Sequence, residues 1–343
     1  AIHNYGELTI TDSSDAKTGK ISARGIFNYG NMTLTSGTIN AIDGNGGYGV
    51  RNYAGATFTM NGGTIATTLE DDHQVDNGGY DATTVRVDEG ATFTMNGGEL
   101  NNICDYTFAI DNYGTTIVKG GKATSVHTTV ANYGTINIEG GEFVCNGLEG
   151  ITAHAVWAAE GTTNISGGTF NGKDNYNGFN VDAVSGAVVN IYGGEFKKVH
   201  SGSLYGEGTI IVTGGTFFDQ VPAKYLAAGY SCQQNEEGKW IVPQVALAKI
   251  GEVSYPTLAA AIEDVEDGED GVPTTITVQA AVFTDEPIVI PAGKSITLDL
   301  NRMSVTGKMH KSVGHVVKNE GTLTIKNSTI SSTANNGGSA VMN

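Results

Sequence analysis

The chain has 343 residues, enough for a continuous core in one large or two modest domains, with 49 Gly, 6 Pro, 39% apolar and 16% charged residues. Collagen is excluded because the glycines follow no three-residue period, and disorder is excluded by the apolar share. The formal charge of −17 repels nucleic-acid phosphates, and no apolar run reaches the ~18 residues of a membrane helix.

From the first residues onward the chain repeats itself. NYGELTI at 4–10 is followed by NYGNMTLTSGTI at 28–39, NYAGATFTMNGGTI at 52–65 and DEGATFTMNGGEL at 88–100. Further copies are NYGTTIVKGGKA at 112–123, NYGTINIEGGEF at 132–143, AEGTTNISGGTF at 159–170, SGAVVNIYGGEF at 185–196 and GEGTIIVTGGTF at 206–217. The glycine closing the first turn falls at 6, 30, 55, 90, 114, 134, 161, 186 and 208, in steps of 24, 25, 35, 24, 20, 27, 25 and 22. A step in the low twenties with tolerated insertions is one coil of a β-solenoid. The step of 35 predicts a lateral loop containing Glu70, Asp71, Asp72, His73 and Gln74.

Each copy alternates with period two, which sends Leu8/Ile10, Met32/Leu34, Phe58/Met60, Phe93/Met95, Ile136/Ile138, Val189/Ile191 and Ile210/Val212 inward. After the Gly pair a second inward column reads Ile39, Ile65, Leu100, Ala123, Phe143, Phe170, Phe196 and Phe217. One coil cannot bury these residues, whereas coils stacked at ~4.8 Å build continuous ladders. Gly pairs serve corners of positive φ or close backbone approach. Asn4, Asn28, Asn52, Asn112, Asn132 and Asn319 form a corner column in which Asn tolerates the left-handed region and amides bond along the ladder. Tyr5, Tyr29, Tyr53, Tyr113 and Tyr133 run beside it, as a structural stack or, the lesser reading, a sugar platform.

The repeat stops after Phe217. Residues 218–243 carry a short helical signal at Ala223–Ala227 and a hairpin turning at Glu237-Gly238, suited to capping the open end of a solenoid. In 245–265 Thr257 is the expected N-cap of a helix with Leu258, Ala261, Ile262 and Val265 on one face. Strands joined by Pro/Gly turns follow over 276–300, and the repeat resumes with NEGTLTIKNSTI at 319–330. The expected organisation is therefore coils over 1–217, a cap-like segment over 218–243, an entry module over 244–300 and the first coils of a next helix over 301–343. Joining the last coil glycine, Gly321, to Gly6 across the termini would give a step of 343 − 321 + 6 = 28, inside the observed range. This predicts one period of a tandem array or of a head-to-tail assembly, cut from a longer protein, with no signal peptide in this window.

Candidate chemistry is sparse. Solenoid enzymes acting on acidic polysaccharides place several Asp, or Asp with Arg/Lys, on one outer face, but Arg24, Arg51 and Arg86 are separated by insertions. His73, His127, His154 and His200 lie in different coils without metal spacing. Glu263, Asp264, Glu266, Asp267, Glu269 and Asp270 could hold Ca²⁺, though a solvated acidic loop is the better reading. Cys104, Cys145 and Cys232 define neither a disulfide framework nor a zinc site. Cys104 and Cys145 sit two coils apart, ~9–10 Å by strand spacing against the ~7 Å a disulfide tolerates, so free thiols are expected. No catalytic, cofactor-binding or metal residues are assigned.

The segments YPTLAAAIEDV and PIVIPAGKSITLDLN, with the NEGTLTI and GGTF copies, resemble the pectin-lyase-like or adhesin-like β-helical surface proteins of gut-associated and other anaerobic bacteria. The resemblance implies export and an extracellular or cell-surface role. The fold expected is all-β, a right-handed parallel β-helix with a small mixed α/β capping region between two solenoid segments. The function expected is that of a structural or adhesive module in an exported bacterial fibre, not an enzyme and without cofactors. Its expected partners are further copies of itself, with host or environmental glycans or proteins beside them. The alternative is a carbohydrate-binding or polysaccharide-cleaving β-helix.

Overall fold

The computed structural model describes residues 1–14, 18–42, 47–68, 83–104, 107–147, 153–172, 178–227, 230–243, 247–255, 257–266, 272–279, 282–284, 287–307, 315–332 and 340–342. Stacked parallel sheets form a β-solenoid of about 11 turns with one short helix. Two compact units divide the chain, Ala1–Pro243 and Gln244–Asn343.

In the first unit each turn gives one strand to each of three sheets. The first sheet runs from Ile2–Asn4 to Leu204–Gly206 and the second from Glu7–Ile10 to Thr209–Val212, with nine strands apiece. The third runs from Lys20–Ala23 to Gly215–Phe217 and is extended by Trp240–Val242 and Gln233–Gln234. Register holds even across the longest insertion. Phe58 lies against Phe93 and Met60 against Met95, and all four are buried as the alternation requires. The second inward column, Ile39 through Phe217, is buried throughout. Its last four members stack ring on ring, with centroids 5.1, 4.9 and 4.5 Å apart from Phe143 to Phe217. Each fully buried Phe contributes roughly 1.5–3 kcal/mol of apolar transfer, which stacked coils alone can realise.

In the first unit the asparagine column is buried and bonded along the axis, whereas Asn319 stands in the second unit, half-buried and in register with Ile290. Asn4 Nδ2 donates to Asn28 Oδ1 at 2.7 Å, Asn28 to Asn52 at 2.6 Å and Asn112 to Asn132 at 2.7 Å. Its backbone differs from the sequence expectation. Among the described residues, positive φ outside glycine occurs only at Asn301, Arg302 and Asn327. The stacked Asn are the last residues of first-sheet strands, in extended backbone, and are selected for amide pairing rather than for the left-handed region. Left-handed corners fall to glycine, as at Gly98 (φ +91°), where a Cβ would sit 2.7 Å from the Gly63 carbonyl oxygen.

The end of this unit changes direction. Gly215–Phe217 pairs antiparallel with Trp240–Val242, which pairs antiparallel with Gln233–Gln234 across the turn at Gly238. A single turn of 3-10 helix, Ala223–Tyr225, precedes this hairpin, and Leu226 bridges to Val212.

The second unit opens with Ala248–Ile250 antiparallel to both Val253–Tyr255 and Thr274–Val278. Between them lies helix α1 (Leu258–Glu263), N-capped by the Thr257 hydroxyl, which accepts from Ala260 N at 3.0 Å. Leu258, Ala261, Ile262 and Val265 are buried. Lys294 Nζ donates to the carbonyls of Ile262, Glu263 and Val265, satisfying acceptors the helix end leaves free. Parallel pairing begins with Thr274–Val278 against Ser295–Asp299, within the 244–300 segment, and continues in three short sheets.

Candidate functional site

The three corners of the first unit are not equivalent. From Leu34 onward the turn from second to third sheet takes two or three residues, and the turn from first to second is comparably short. The passage from the third sheet to the first ranges from two residues (126–127) to fourteen (69–82). Length variation therefore concentrates beside the first sheet, whose outer face also carries the unit's chemistry. The predicted lateral loop at 70–74, with His73, lies outside the described residues.

Strand register aligns one outer column as His3, Phe27, Arg51, Arg86, Asp111, Ala131, Trp157, Asp182 and Tyr205. Arg51 and Arg86 are direct neighbours across the insertion, contrary to the separation their sequence numbers suggest. Asp88 accepts from Arg51 Nε at 3.0 Å and from Arg86 Nε at 2.9 Å, and Arg86 Nη1 donates to Asp111 Oδ2 at 2.7 Å. Arg51 also lies over Tyr53 (4.5 Å to the ring centroid) and Arg86 over Tyr113 (4.2 Å). The signal was present in the repeated Val-Arg pairs, 50–51 and 85–86, which coincide once the insertion is removed. Arg24 is exposed at a corner, away from this network.

The tyrosine column stacks. Centroids are 4.8 Å apart for Tyr5–Tyr29, 4.3 Å for Tyr29–Tyr53 and 4.3 Å for Tyr113–Tyr133, with planes within 13°. Rings that cover one another's faces present edges and hydroxyls outward, so this column does not offer the open ring faces on which a sugar stacks.

Beyond Asp111 the face becomes aromatic. Trp157 meets Tyr133 edge-on at 5.8 Å and Phe108 at 6.3 Å, and Phe108 lies 5.9 Å from His127. His154 stacks on Phe179, with Nε2 3.5 Å from Asp182 Oδ2. Burial, with His127 nearby, lowers the His154 pKa to about 4, so the imidazole is neutral at physiological pH. Burial raises Asp182 to about 6, and raises Asp111 to about 6 despite the opposing pull of Arg86.

The remaining candidates do not converge. His127 and His154 are near each other, but no group of three metal donors forms among the described residues, and His200 is exposed. Glu263, Asp264 and Glu266 are exposed, Asp264 accepting from the Tyr255 hydroxyl, while Asp267, Glu269 and Asp270 lie outside the described residues. Cys104, Cys145 and Cys232 are free thiols. The third-sheet register, Asn102 to Ser125 to Cys145, places one coil between the strands that carry or precede the first two.

No family model matches this sequence, and comparison with curated proteins and with solved structures finds no match either.

Proposed function

We propose that the chain is a structural and adhesive module of an exported bacterial surface protein, a stiff scaffold that presents one functional side and catalyses nothing. One observation carries this reading: register is maintained coil after coil while insertions and charged and aromatic side chains concentrate at one sheet and its adjoining corner. In solenoids, insertions on one face often mark the side that meets a partner. The bacterial and extracellular setting is supported by the resemblance of the repeat and by an acidic, weakly basic composition compatible with a surface protein.

The assembly we propose is tandem, unit following unit along one polypeptide. Parallel coil pairing resumes in the second unit of the same polypeptide, from Thr274–Val278 to Ser295–Asp299 to Thr322–Lys326, which supports that arrangement.

Beads coated with the purified chain should be retained on host cells or extracellular matrix, and uncoated beads should not. The same preparation should release no product from uronic-acid polysaccharides. Sustained product formation would favour the second reading, a polysaccharide-cleaving β-helix, for which the assembled Arg51–Asp88–Arg86–Asp111 network is the one specific support. Both carboxylates of that network are engaged by guanidinium groups, which suits a structural ion ladder better than a free catalytic base.

A further inference from the structure

The three outer faces of the first unit differ in charge. The first sheet presents Arg51, Arg86, Asp111 and Asp182, and the third presents Glu99, Lys122 and Glu142 in one row. The second sheet presents two straight columns, the first and third residues of each four-residue strand, held in register from Glu7–Ile10 to Thr209–Val212. Thr57 and Thr59 thus lie directly beside Thr92 and Thr94. After Glu7, Thr and Asn fill every position of both columns except Ile117, Val188 and Ile211; none is charged and none is buried. Charges stand at the rims instead, Glu89 and Glu160 on one side, Lys119 and Glu139 on the other. Side-chain bonds along the columns hold their rotamers. Thr57 Oγ1 donates to Asn31 Oδ1 at 2.6 Å, and Asn190 to Asn164 and Asn164 to Asn137 at 2.9 Å each.

We propose that this face of the second sheet binds ice. Neighbouring strands repeat at ~4.8 Å and alternate residues within a strand at roughly 6.6–6.8 Å, so hydroxyls, amides and methyls recur on a two-dimensional net. Both repeats are close to oxygen spacings of the ice lattice. A threonine offers that lattice a hydroxyl that hydrogen-bonds water and a methyl whose first hydration shell is orientationally restricted. Liquid water gives such a face ordinary solvation, whereas an ordered layer meets many anchored groups at once, because strand register prevents error from accumulating along the net. A charged side chain within the net would hold its own oriented hydration and break the match. Its absence from both columns after Glu7, in a chain of formal charge −17, has that physical sense. Sheets ordinarily twist, and side-chain ladders are among the devices that keep them flat; the Asn–Asn and Thr–Asn bonds supply such ladders here. The adhesive reading leaves this face unused, and either can fail without the other.

Ice grown slowly into a dilute solution of the chain should take the protein up, while an unrelated globular protein at equal concentration stays in the liquid. A nanolitre osmometer should show a gap between melting and freezing that widens with protein concentration, and crystals that grow faceted. Thr94→Arg puts a long cation in the middle of the net and should abolish uptake and gap alike in a variant whose circular dichroism matches wild type. Thr124→Arg, the same change on the outward side of the third sheet, should preserve both. Should Thr94→Arg fail to fold, Thr135→Lys, at an exposed position of the same face, takes its place. Exclusion of the wild-type chain from ice, or a freezing gap no larger than the control protein gives, overturns the proposal. So does uptake that Thr94→Arg and Thr135→Lys leave intact, or that Thr124→Arg removes in a folded variant. Retention of coated beads on host cells without any effect on ice would keep the adhesive module and remove the ice-binding face; the reverse result would do the opposite.

Discussion

Asn28 shows how one residue type serves a solenoid. Its side-chain amide donates to Asn52 Oδ1 and to the Thr57 carbonyl at 2.8 Å, while its own oxygen accepts from Asn4. Asn28→Ala would strand partners on both sides in a fully buried column, so a loss of about 2–4 kcal/mol is expected in the urea unfolding of the first unit. The titratable residues of the first sheet oppose one another. His154 is depressed to about 4 against 6.5 unfolded, so acidification protonates the unfolded chain first, and stability falls between pH 6.5 and 4. Asp111 and Asp182 are raised to about 6 against 3.8, so the folded state binds protons first, and stability rises as pH falls from 6 towards 3.8. His154→Gln should therefore remove an acid-destabilising contribution, making the variant gain stability relative to wild type between pH 7.5 and pH 5. Urea midpoints at the two pH values measure this. A variant that loses ground on acidification would show that His154 is not held neutral.

At the scale of the element, the stacked phenylalanines of the third sheet are the clearest case of a column acting as a unit. Phe170 lies between Phe143 and Phe196, and its removal opens a cavity flanked by rings that cannot close the gap without breaking strand register. Phe170→Ala is expected to cost about 3–5 kcal/mol, read from denaturant unfolding, against under about 1.5 kcal/mol for Phe170→Leu if the space is repacked. These columns were legible in the sequence because period-two alternation and the Gly pair give inward positions the same address in every copy. The ion network was missed although its signal was present: Arg51 stands 55 − 51 = 4 residues before Gly55 and Arg86 stands 90 − 86 = 4 before Gly90, an equal address that residues 69–82 do not disturb and that the strand register confirms. Asn28 was legible as a ladder member but not in its backbone, because its two uses, left-handed turns and amide pairing, leave the same letter in the sequence. The contact of His154 with Asp182 comes from neighbouring coils of unequal length, and neither residue belongs to the repeat consensus.

For the first unit as a whole, the decisive problem is its final edge. A parallel solenoid ends in strands whose N–H and C=O groups face outward, a template for any further strand. Here Trp240–Val242 takes the edge of Gly215–Phe217, Ala227 N donates to the Val212 carbonyl at 3.1 Å, and the Tyr225 hydroxyl donates to the Gly206 carbonyl. The strand left outermost in the third sheet has only two residues, Gln233 and Gln234, both exposed, and the turn after it carries exposed Glu236 and Glu237. Short, polar and charged, that strand is a poor template where Gly215–Phe217 would be a good one. Ile241 pairs with Thr216 on one side and Gln233 on the other, so Ile241→Pro removes an N–H from the middle of the hairpin and should detach it. The coils beneath would keep their register, since each is held by its own neighbours. The expected outcome is a folded variant whose light scattering grows with protein concentration under conditions where the wild-type chain does not associate. Limited proteolysis between Ser231 and Lys239 would confirm that the hairpin has come away. A variant cleaved there yet still monodisperse would mean that the exposed edge does not recruit strands, and that the hairpin contributes stability rather than protection from association.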